Sequence, residues 1–409
     1  MLINKERAIS IMQREGIDVL IATSPENVTY CSDYDSPQIY RYKGLQAYAI
    51  LPQNFEQASL IVPKSELAYL MDRPSWIKDI RMYGTFNVFG LDQKQNIDPQ
   101  INELINAFKN VPHSPSVTDL LIMTLREKNL LKPGIRIGVD ELNLSVTSKA
   151  ALEEYYGQGK IIYCSNLFKE IRMVKSEEEI KRLKECASIN QKAIKEMISS
   201  MRPGITERDL RNIYIKSIIE DDAMFGHWST SCGPRSMALY PESDYMLKTG
   251  DISRIDMGCV YKGYWSDMAR SVSIGEPTKK CLKYYEALKQ GLLEACSMVK
   301  AGVYVSEIFK KGVEIVQNEI VEYKRHMIGH SIGLEHYEPP MVMEKGAKAD
   351  IFLAGITDMK LEEGMVINIE FPYYEAGLGG LTVENTMLVT KAGFELFTDL
   401  DTDLFIINA

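Results

Sequence analysis

Residues 328–340 read IGHSIGLEHYEPP, and the rest of the chain is organised around this stretch. It holds His330 between two glycines and ends in an acidic tail that contains His336. We predict that His330 is the only imidazole ligand of a metal site, and that four carboxylates from two flanking β-hairpins supply the other ligands. Residues 329–333 also match G-x-S-x-G, but a nucleophile elbow needs a downstream acid and then a histidine, and His336 lies too near Ser331 to serve.

The first hairpin spans residues 251–270, DISRIDMGCVYKGYWSDMAR. Two strand-like runs flank a Lys262-Gly263 turn, and Asp256 and Asp267 lie about equally far from its tip. Cross-strand neighbours on one face come within ~5 Å, so we expect these two carboxylates to sit nearly opposite each other. Two ionised carboxylates that close repel, and a divalent cation removes the repulsion.

The second hairpin spans residues 365–389, MVINIEFPYYEAGLGGLTVENTMLV. The midpoint of Glu370 and Glu384 is Gly377, inside the glycine-rich tip, which predicts that the two glutamates face each other. Both interrupt apolar runs, and a glutamate in a buried strand is rare unless it is paired or ligating. Each acid alone is explained as well by an ordinary surface strand. The four together, symmetric about two tips with His330 between them, indicate a metal site.

The composition limits the classes of function. The chain has 409 residues, of which 45% are hydrophobic and 25% charged, and a formal net charge of -9, which leaves no basic footprint for nucleic acid or an anionic membrane. The seven cysteines include no C-x-x-C pair, which argues against a thiolate zinc site or a disulfide framework. With no signal-peptide pattern and no apolar run of ~18 residues, we expect a cytoplasmic protein without a membrane partner.

The sequence predicts two domains, an α/β domain over residues 1–170 and an α+β domain over residues 171–409. In the first, short apolar strands alternate with amphipathic helices, and neither G-x-G-x-x-G nor a P-loop motif occurs. In the second, long helices alternate with the two hairpins. Its first helix is predicted to begin after Ser176, with Glu179 completing a capping box.

With these motifs assembled, the chain resembles the pita-bread family that includes aminopeptidase P, prolidase, methionine aminopeptidase and creatinase. The resemblance covers residues 170–409 through DMG at 256–258, GYWSD at 263–267, GH at 329–330, Glu370, and ENT at 384–386. The first 165 residues resemble the creatinase-type N-terminal domain. The fold that this implies is an α/β N-terminal domain followed by an α+β pita-bread catalytic domain.

The resemblance also implies a cofactor and an assembly. Two divalent metal ions would be held by Asp256, Asp267, His330, Glu370 and Glu384. Asp267 and Glu384 would bridge the two ions, and Glu370 could accept a proton from the attacking water. Such mixed oxygen and nitrogen ligands favour Mn²⁺, Co²⁺, Fe²⁺ or Zn²⁺, with Mn²⁺ as our first expectation. Family members are commonly homodimers, so we expect a homodimer here.

Three positions depart from the family pattern. The family's Ala-Leu-Pro-His is replaced by residues 238–241, ALYP; Tyr337 stands where a histidine usually follows the metal histidine; and Thr382 replaces an arginine. The usual groups help bind peptide and stabilise the transition state, and losing one such donor costs ~10²–10³ in rate. Neighbouring residues would substitute or shape a different pocket: Tyr240, His227, His336 and Tyr337.

The sequence is compatible with two kinds of enzyme and with a binding module that has no catalytic activity. The first is a dinuclear metallohydrolase of a small amide, such as an Xaa-Pro dipeptide or the N-terminal residue before proline. The second is a creatinase-like C–N hydrolase or a lyase, whose small zwitterionic substrate would be held by cation–π contact with Trp228, Tyr240 and Tyr337. A binding module without activity ranks last, because no metal ligand is missing.

His336 and His227 are the candidate catalytic residues besides Glu370. Each could donate a proton to a leaving group or hold a substrate group. Each is equally well explained as a histidine that only satisfies hydrogen bonds.

Overall fold

The computed structural model describes residues 1–42, 44–90, 99–112, 114, 116–347 and 358–408. Close contacts divide the chain into two units, Met1–Arg172 and Met173–Ala409. This boundary lies two residues beyond the one we expected. The first unit has the predicted α/β character and the second the predicted α+β character, so the predicted fold class is confirmed.

The first unit alternates helices with strands. Its helices are α1 (Lys5–Glu15), α2 (Pro25–Ser32), α3 (Pro37–Arg41), α4 (Leu67–Asp72), α5 (Pro99–Asn110), α6 (Val117–Glu127), α7 (Val146–Tyr156) and α8 (Ser165–Arg172). Its strands are β1 (Val19–Ala22), β2 (Tyr48–Pro52), β3 (Ser59–Pro63), β4 (Asp79–Tyr83), β5 (Ile137–Val139) and β6 (Ile162–Tyr163).

These strands form one mixed sheet in the order β4-β3-β2-β1-β5-β6. Strand β1 pairs with β2 in antiparallel and with β5 in parallel orientation. All four residues of β1 are buried, which fits a central strand covered on both faces. Its inward-facing Val19 and Ile21 join a core with residues of α6, among them Leu121 and Leu125.

The second unit carries long helices and short, twisted sheets. Its helices are α9 (Glu177–Ser200), α10 (Glu207–Glu220), α11 (Lys279–Ser297) and α12 (Val305–Gln317). Its strands are β7 (Met224–Trp228), β8 (Ser231–Cys232), β9 (Ile252–Tyr261), β10 (Tyr264–Trp265), β11 (Met268–Ile274), β12 (Met327–Ser331), β13 (Glu338–Met343), β14 (Val366–Glu370), β15 (Tyr373–Glu375), β16 (Gly379–Leu381), β17 (Glu384–Val389), β18 (Phe394–Leu396) and β19 (Phe405–Ile407).

The helix starts of the second unit follow from local sequence. Ser176 accepts a hydrogen bond from the backbone N–H of Glu179, and the Glu179 carboxylate accepts one from Ser176 N, so the predicted capping box is confirmed. Thr206 and Asp209 form the same arrangement at the start of α10. Each box satisfies two backbone N–H groups that a helix start otherwise leaves without partners.

Two sheets of the second unit position the candidate site. One has the order β10-β9-β11-β19, with β7 and β8 also paired to β9; the other has the order β13-β12-β14-β17-β18. Helices α11 and α12 cover the second sheet through a core that includes Leu288 and Val316, whereas α9 and α10 pack on the first sheet through a core that includes Ile194 and Leu210. No helix in the described part of the chain has the length and apolar character that a membrane span requires.

Candidate metal centre

The hairpin of β9 and β11 turns at Lys262 and Gly263, both with left-handed φ values of 48° and 84°. This turn pairs Tyr261 with Tyr264, and the same register continues to Asp256, which pairs with Ala269. The expectation that Asp256 sits nearly opposite Asp267 is therefore wrong by two residues. The turn is centred one residue later than the midpoint of the two acids, so they are diagonal neighbours on one face of the ladder.

The two aspartates nevertheless meet at His227 on β7. Its Nε2 lies 3.1 Å from Asp256 Oδ1 and 3.2 Å from Asp267 Oδ1. Burial opposes the charged imidazole, but the charge of Asp267 and the hydrogen bond to Asp256 outweigh it and raise the pKa of His227 to about 10. A β-bulge places both Gly226 and His227 opposite Gly258. A Cβ at Gly258 would collide with the backbone oxygen of Ser266 and would also come within 2.9 Å of the His227 ring, so glycine is required there.

His330 on β12 is almost fully buried and pairs with Asn368 of β14. Its Nδ1 lies 2.9 Å from the carbonyl oxygen of Ser331. Because a carbonyl only accepts, Nδ1 carries the hydrogen, which leaves Nε2 as the ligating nitrogen of the neutral ring. Nε2 lies 3.6 Å from Asp267 Oδ2.

Glu370 on β14 and Glu384 on β17 are direct cross-strand partners, which confirms the predicted register of the second hairpin. Asn368 donates a hydrogen bond of 2.6 Å to Glu384 Oε1. Burial, followed by the charges of Asp267 and Asp256, holds the pKa of Glu384 well above its ordinary value. Burial also raises the pKa of Glu370, although the charges of Arg325 and His330 partly oppose the rise.

His336 lies beside this cluster. Its Nε2 is 2.7 Å from Asp267 Oδ2, and its ring lies between those of His227 and Trp265, with centroid distances of 4.3 and 5.2 Å. Burial lowers the pKa of His336 despite the nearby charge of Asp267. The Tyr337 ring packs on His330 at 4.1 Å, so this tyrosine belongs to the wall of the site.

The other two candidate substrate residues are placed differently. Tyr240 is 42% exposed and carries the guanidinium of Arg235 over its ring at 4.3 Å. Trp228 follows His227 on β7 and packs against the core of the first sheet, with a buried Nε1 that lacks a hydrogen-bond partner. Among the described residues, no hydrogen bond or ring contact joins Tyr240 or Trp228 to the carboxylates and histidines of the cluster.

Sequence reasoning missed two residues that touch these carboxylates. Arg254 is fully buried and donates from Nη1 to Asp256 Oδ2 at 2.9 Å, while its Nε and Nη2 have no hydrogen-bond partner in the described structure. Asn368 holds Glu384. Both stand two residues before a predicted ligand on the same strand, and the period of two in a strand would have placed them on the same face.

The donor atoms fit a divalent metal. Among the described residues, two groups each bring ligand atoms within 4.8 Å of one another: His227, Asp267 and His336, and Asp267, His330 and Glu384. Asp267 belongs to both groups, and its Oδ1 is buried without a hydrogen bond of good geometry. Burial and the charges of neighbouring carboxylates raise the pKa of Glu384 and of Glu370, and a cation would stabilise such a cluster. Oxygen and imidazole donors suit first-row divalent ions.

Comparison with known proteins matches each of the two units to the family that its sequence motifs resemble. The pattern of metallopeptidase family M24 matches residues 181–391, and that of the Creatinase/Prolidase N-terminal domain matches residues 5–174. Uncharacterized peptidase YqhT of Bacillus subtilis is 24% identical over 311 residues, which are 74% of this chain and 83% of that protein. Uncharacterized peptidase SH1217 of Staphylococcus haemolyticus is 25% identical over 408 residues, which are 97% and 99% of the two chains.

Solved structures share the fold over nearly the whole chain. The Xaa-Pro dipeptidase from Bacillus anthracis superposes with a TM-score of 0.75 at 24% identity, covering 98% of this chain and 99% of that one. The prolidase from Pyrococcus horikoshii OT3 superposes with a TM-score of 0.73 at 22% identity, again covering 98% and 99%. At these identities the likeness establishes the fold.

Proposed function

Because the chain belongs to metallopeptidase family M24, we propose that it is a metal-dependent hydrolase that cleaves the amide bond before proline in short peptides. The observation that carries this proposal is the convergence of Asp267, which lies between β10 and β11, with His330 of β12 and Glu384 of β17 onto one buried point. The names of the structures that share the fold, an Xaa-Pro dipeptidase and a prolidase among them, support the choice of substrate.

We propose that the two ions are held by the five residues Asp256, Asp267, His330, Glu370 and Glu384. A bound divalent ion lowers the pKa of water and polarises a carbonyl group. The protein fixes the donors: Ser331 O sets the His330 tautomer, and Asn368 orients Glu384. Glu370 is suited to hold a proton, because burial raises its pKa even though the charge of Arg325, whose Nη2 lies 3.7 Å from Oε1, opposes the rise.

A panel of substrates tests this proposal. Purified protein is loaded with Mn²⁺, Co²⁺ or Zn²⁺ and given Xaa-Pro dipeptides, Xaa-Pro-Yaa tripeptides and dipeptides without proline. We expect hydrolysis of the proline substrates only, lost in Asp267→Asn and retained in Glu375→Gln. Glu375 lies on β15 and pairs with Lys280 away from the cluster, so it is a control that removes a carboxylate charge without touching the proposed ligands. Equal rates for wild type and Asp267→Asn would overturn the proposal.

A second candidate, a C–N hydrolase or lyase acting on a small zwitterion, is favoured by Arg254. The Nε and Nη2 atoms of this buried guanidinium, which lies over the Tyr374 ring at 5.4 Å, have no hydrogen-bond partner among the described residues and suit the carboxylate of a small substrate. The same protein is therefore incubated with creatine and with sulfonium and ammonium carboxylates. Turnover of one of these without turnover of any Xaa-Pro substrate would select this candidate.

We further propose that the chain acts as a homodimer in the cytoplasm. All seven cysteines are free and buried, which suits a reducing compartment. The dimer is proposed from the resemblance to the family. Light scattering coupled to size-exclusion chromatography tests it, and a mass near 46.4 kDa at working concentration would contradict it.

A further inference from the structure

Three imidazoles, rather than one, face Asp267. His227 and His336 approach it from β7 and from the loop after β12, and His330 approaches it from β12 itself. We propose that His227 and His336 are metal ligands, so that the position they share with Asp256 and Asp267 is rich in nitrogen and prefers Zn²⁺ over Mn²⁺. This inference rests on the proposed function only in that the cluster binds metal.

The distances suit ligands of a common ion. Two donor atoms that each lie ~2.1 Å from one ion are about 3.0 to 3.4 Å apart at octahedral or tetrahedral angles. His227 Nε2 lies 3.1 Å from Asp256 Oδ1 and 3.2 Å from Asp267 Oδ1, within that range. His336 Nε2 is closer to Asp267 Oδ2, at 2.7 Å. Small shifts of these side chains would admit an ion among them.

Arg254 explains why extra donors are needed at this position. Its guanidinium holds Asp256 Oδ2, which leaves Asp256 with one free oxygen, and that oxygen faces His227. A cation fixed beside a metal position also weakens binding of a second cation there. Imidazoles that coordinate an ion do so as neutral ligands, so the two histidines would add donors without adding negative charge and would shift the ligand set from hard oxygen towards nitrogen.

The two rings are held in place by packing. Gly258 leaves the space that the His227 ring fills, and the His336 ring is stacked between His227 and Trp265 at interplanar angles of 27° and 21°. His227 Nδ1 is buried and has no hydrogen-bond partner among the described residues, so the polar contacts of this ring are made through Nε2. Both rings direct Nε2 at the carboxylates, which is the orientation a ligand requires.

The metal preference follows from the donor types. Imidazole suits Zn²⁺ and Fe²⁺, whereas carboxylate and water suit Mn²⁺, which also stands lowest in affinity among the first-row divalent ions. Five residues with one histidine favour Mn²⁺, as we expected from sequence. Adding His227 and His336 reverses that preference at the position next to Asp256.

The competing explanation is that the two histidines only donate hydrogen bonds to Asp267 and Asp256. Glutamine separates the two explanations, because its amide N–H₂ donates to a carboxylate at nearly the position of Nε2 but is a poor ligand for Zn²⁺. His227→Gln and His336→Gln therefore keep the hydrogen bond and remove the ligand. His326→Gln is the matched control, since His326 precedes His330 by four residues and belongs to neither ligand group.

The experiment measures Zn²⁺ and Mn²⁺ stoichiometry and affinity by elemental analysis and calorimetry on the full chain. We expect wild type and His326→Gln to bind Zn²⁺ more tightly than Mn²⁺. His227→Gln and His336→Gln should each lose about 10²-fold in Zn²⁺ affinity at one position and little in Mn²⁺ affinity. Unchanged Zn²⁺ affinity in both glutamine variants would overturn the inference.

A second measurement needs no variant. In Co²⁺-loaded wild type, each ligating imidazole gives a strongly shifted exchangeable N–H signal in proton NMR. Three such signals are expected, and a single one, from His330, would overturn the inference even if the variants fail to fold. The proposed function fails separately: it is lost if wild type binds no metal or cleaves no Xaa-Pro peptide, whatever the number of histidine ligands.

Discussion

Asp140 and Glu384 are both buried carboxylates at the end of a strand, but their surroundings are opposite. Asp140 follows β5 in the first unit, and its Oδ2 accepts hydrogen bonds from Ser24 N, Ser24 Oγ and Asn27 Nδ2 at 2.6 to 2.8 Å. Glu384 begins β17 in the second unit, accepts one hydrogen bond from Asn368, and otherwise faces the carboxylates of Asp267, Asp256 and Glu370.

The difference shows that burial does not distinguish a structural carboxylate from a functional one. The carboxylate of Asp140 has N–H and O–H donors as partners, so it stabilises the fold. The charge of Glu384 is opposed by other charges, so its ionised form costs stability until a cation binds. The number of donors per carboxylate is what separates the two sites.

The largest expected effect is on metal binding when Glu384 is replaced. Glu384→Gln removes one negative donor from a buried cluster, and we expect a loss on the order of 10³-fold to 10⁴-fold in metal affinity, with activity lost in parallel. The metal-free variant should melt at the same temperature as metal-free wild type or higher, because a repelling charge is gone. Glu375→Gln is the control. Calorimetric metal titration measures the affinity, and thermal melts measure the stability of the metal-free proteins. A large drop in the melting temperature of the metal-free variant would show that Glu384 stabilises the fold as Asp140 does.

Replacement of Asp140 should give the reverse pattern. Asp140→Ala leaves the donors of Ser24 and Asn27 buried without an acceptor, which costs about 3 to 5 kcal/mol of unfolding free energy. Metal affinity per folded molecule should not change. Urea denaturation of both units, with Asp140→Asn as the milder variant that keeps one acceptor, measures the loss. A stable Asp140→Ala protein with weakened metal binding would contradict the structural role.

The position of Glu384 opposite Glu370 could be predicted from the sequence. Glu370 and Glu384 are symmetric about a glycine-rich tip, and strand periodicity then fixes their register without any distant contact. The offset between Asp256 and Asp267 was missed because the Lys262-Gly263 turn, with its two left-handed residues, is centred one residue later than the midpoint of the acids.

The parts that sequence did not predict depend on contacts between distant segments. His227 reaches Asp256 only because β7 pairs with β9 and a bulge shifts its register, and neither feature has a local signal. The Asp140 network joins residues more than 100 positions apart, such as Ser24 and Asp140. Strand periodicity places Arg254 on the same face as Asp256. However, a buried arginine beside a predicted metal ligand is not expected from composition.

A smaller effect on metal affinity is expected at Arg254. Its Nη1 donates a hydrogen bond to Asp256 in the metal cluster, whereas Asp140 Oδ2 accepts several such bonds. Arg254→Met removes a fully buried cation and frees Asp256 Oδ2, so metal affinity should rise about tenfold. Arg254→Lys keeps the charge and should change affinity little. Methionine fills a similar space, and replacing a buried charge in this way is tolerated in other proteins. Weaker metal binding in Arg254→Met would show instead that the guanidinium positions Asp256 for the ion.

The smallest expected effect is on the pH dependence of stability and concerns Glu179. This buried carboxylate has hydrogen-bond donors, as Asp140 does, and a raised pKa, as Glu384 does. It accepts hydrogen bonds from Ser176 N and Tyr264 Oη, yet burial raises its pKa to about 7 although Lys175 opposes the rise. Between pH 4.5 and 7 the folded protein keeps a proton that the unfolded chain has released, so unfolding free energy falls as pH rises through this window.

Glu179→Gln cannot ionise and should lack this fall. From pH 5 to pH 8 the variant should therefore gain on the order of 1 kcal/mol in unfolding free energy relative to wild type. Glu178→Gln is the control, because its more exposed carboxylate pairs with Arg182, which lowers its pKa and gives a small change of opposite sign. Urea titrations at the two pH values measure the difference. If Glu179→Gln loses stability relative to wild type as pH rises, Glu179 is ionised and stabilised by its hydrogen-bond donors, and it belongs with Asp140 rather than between Asp140 and Glu384.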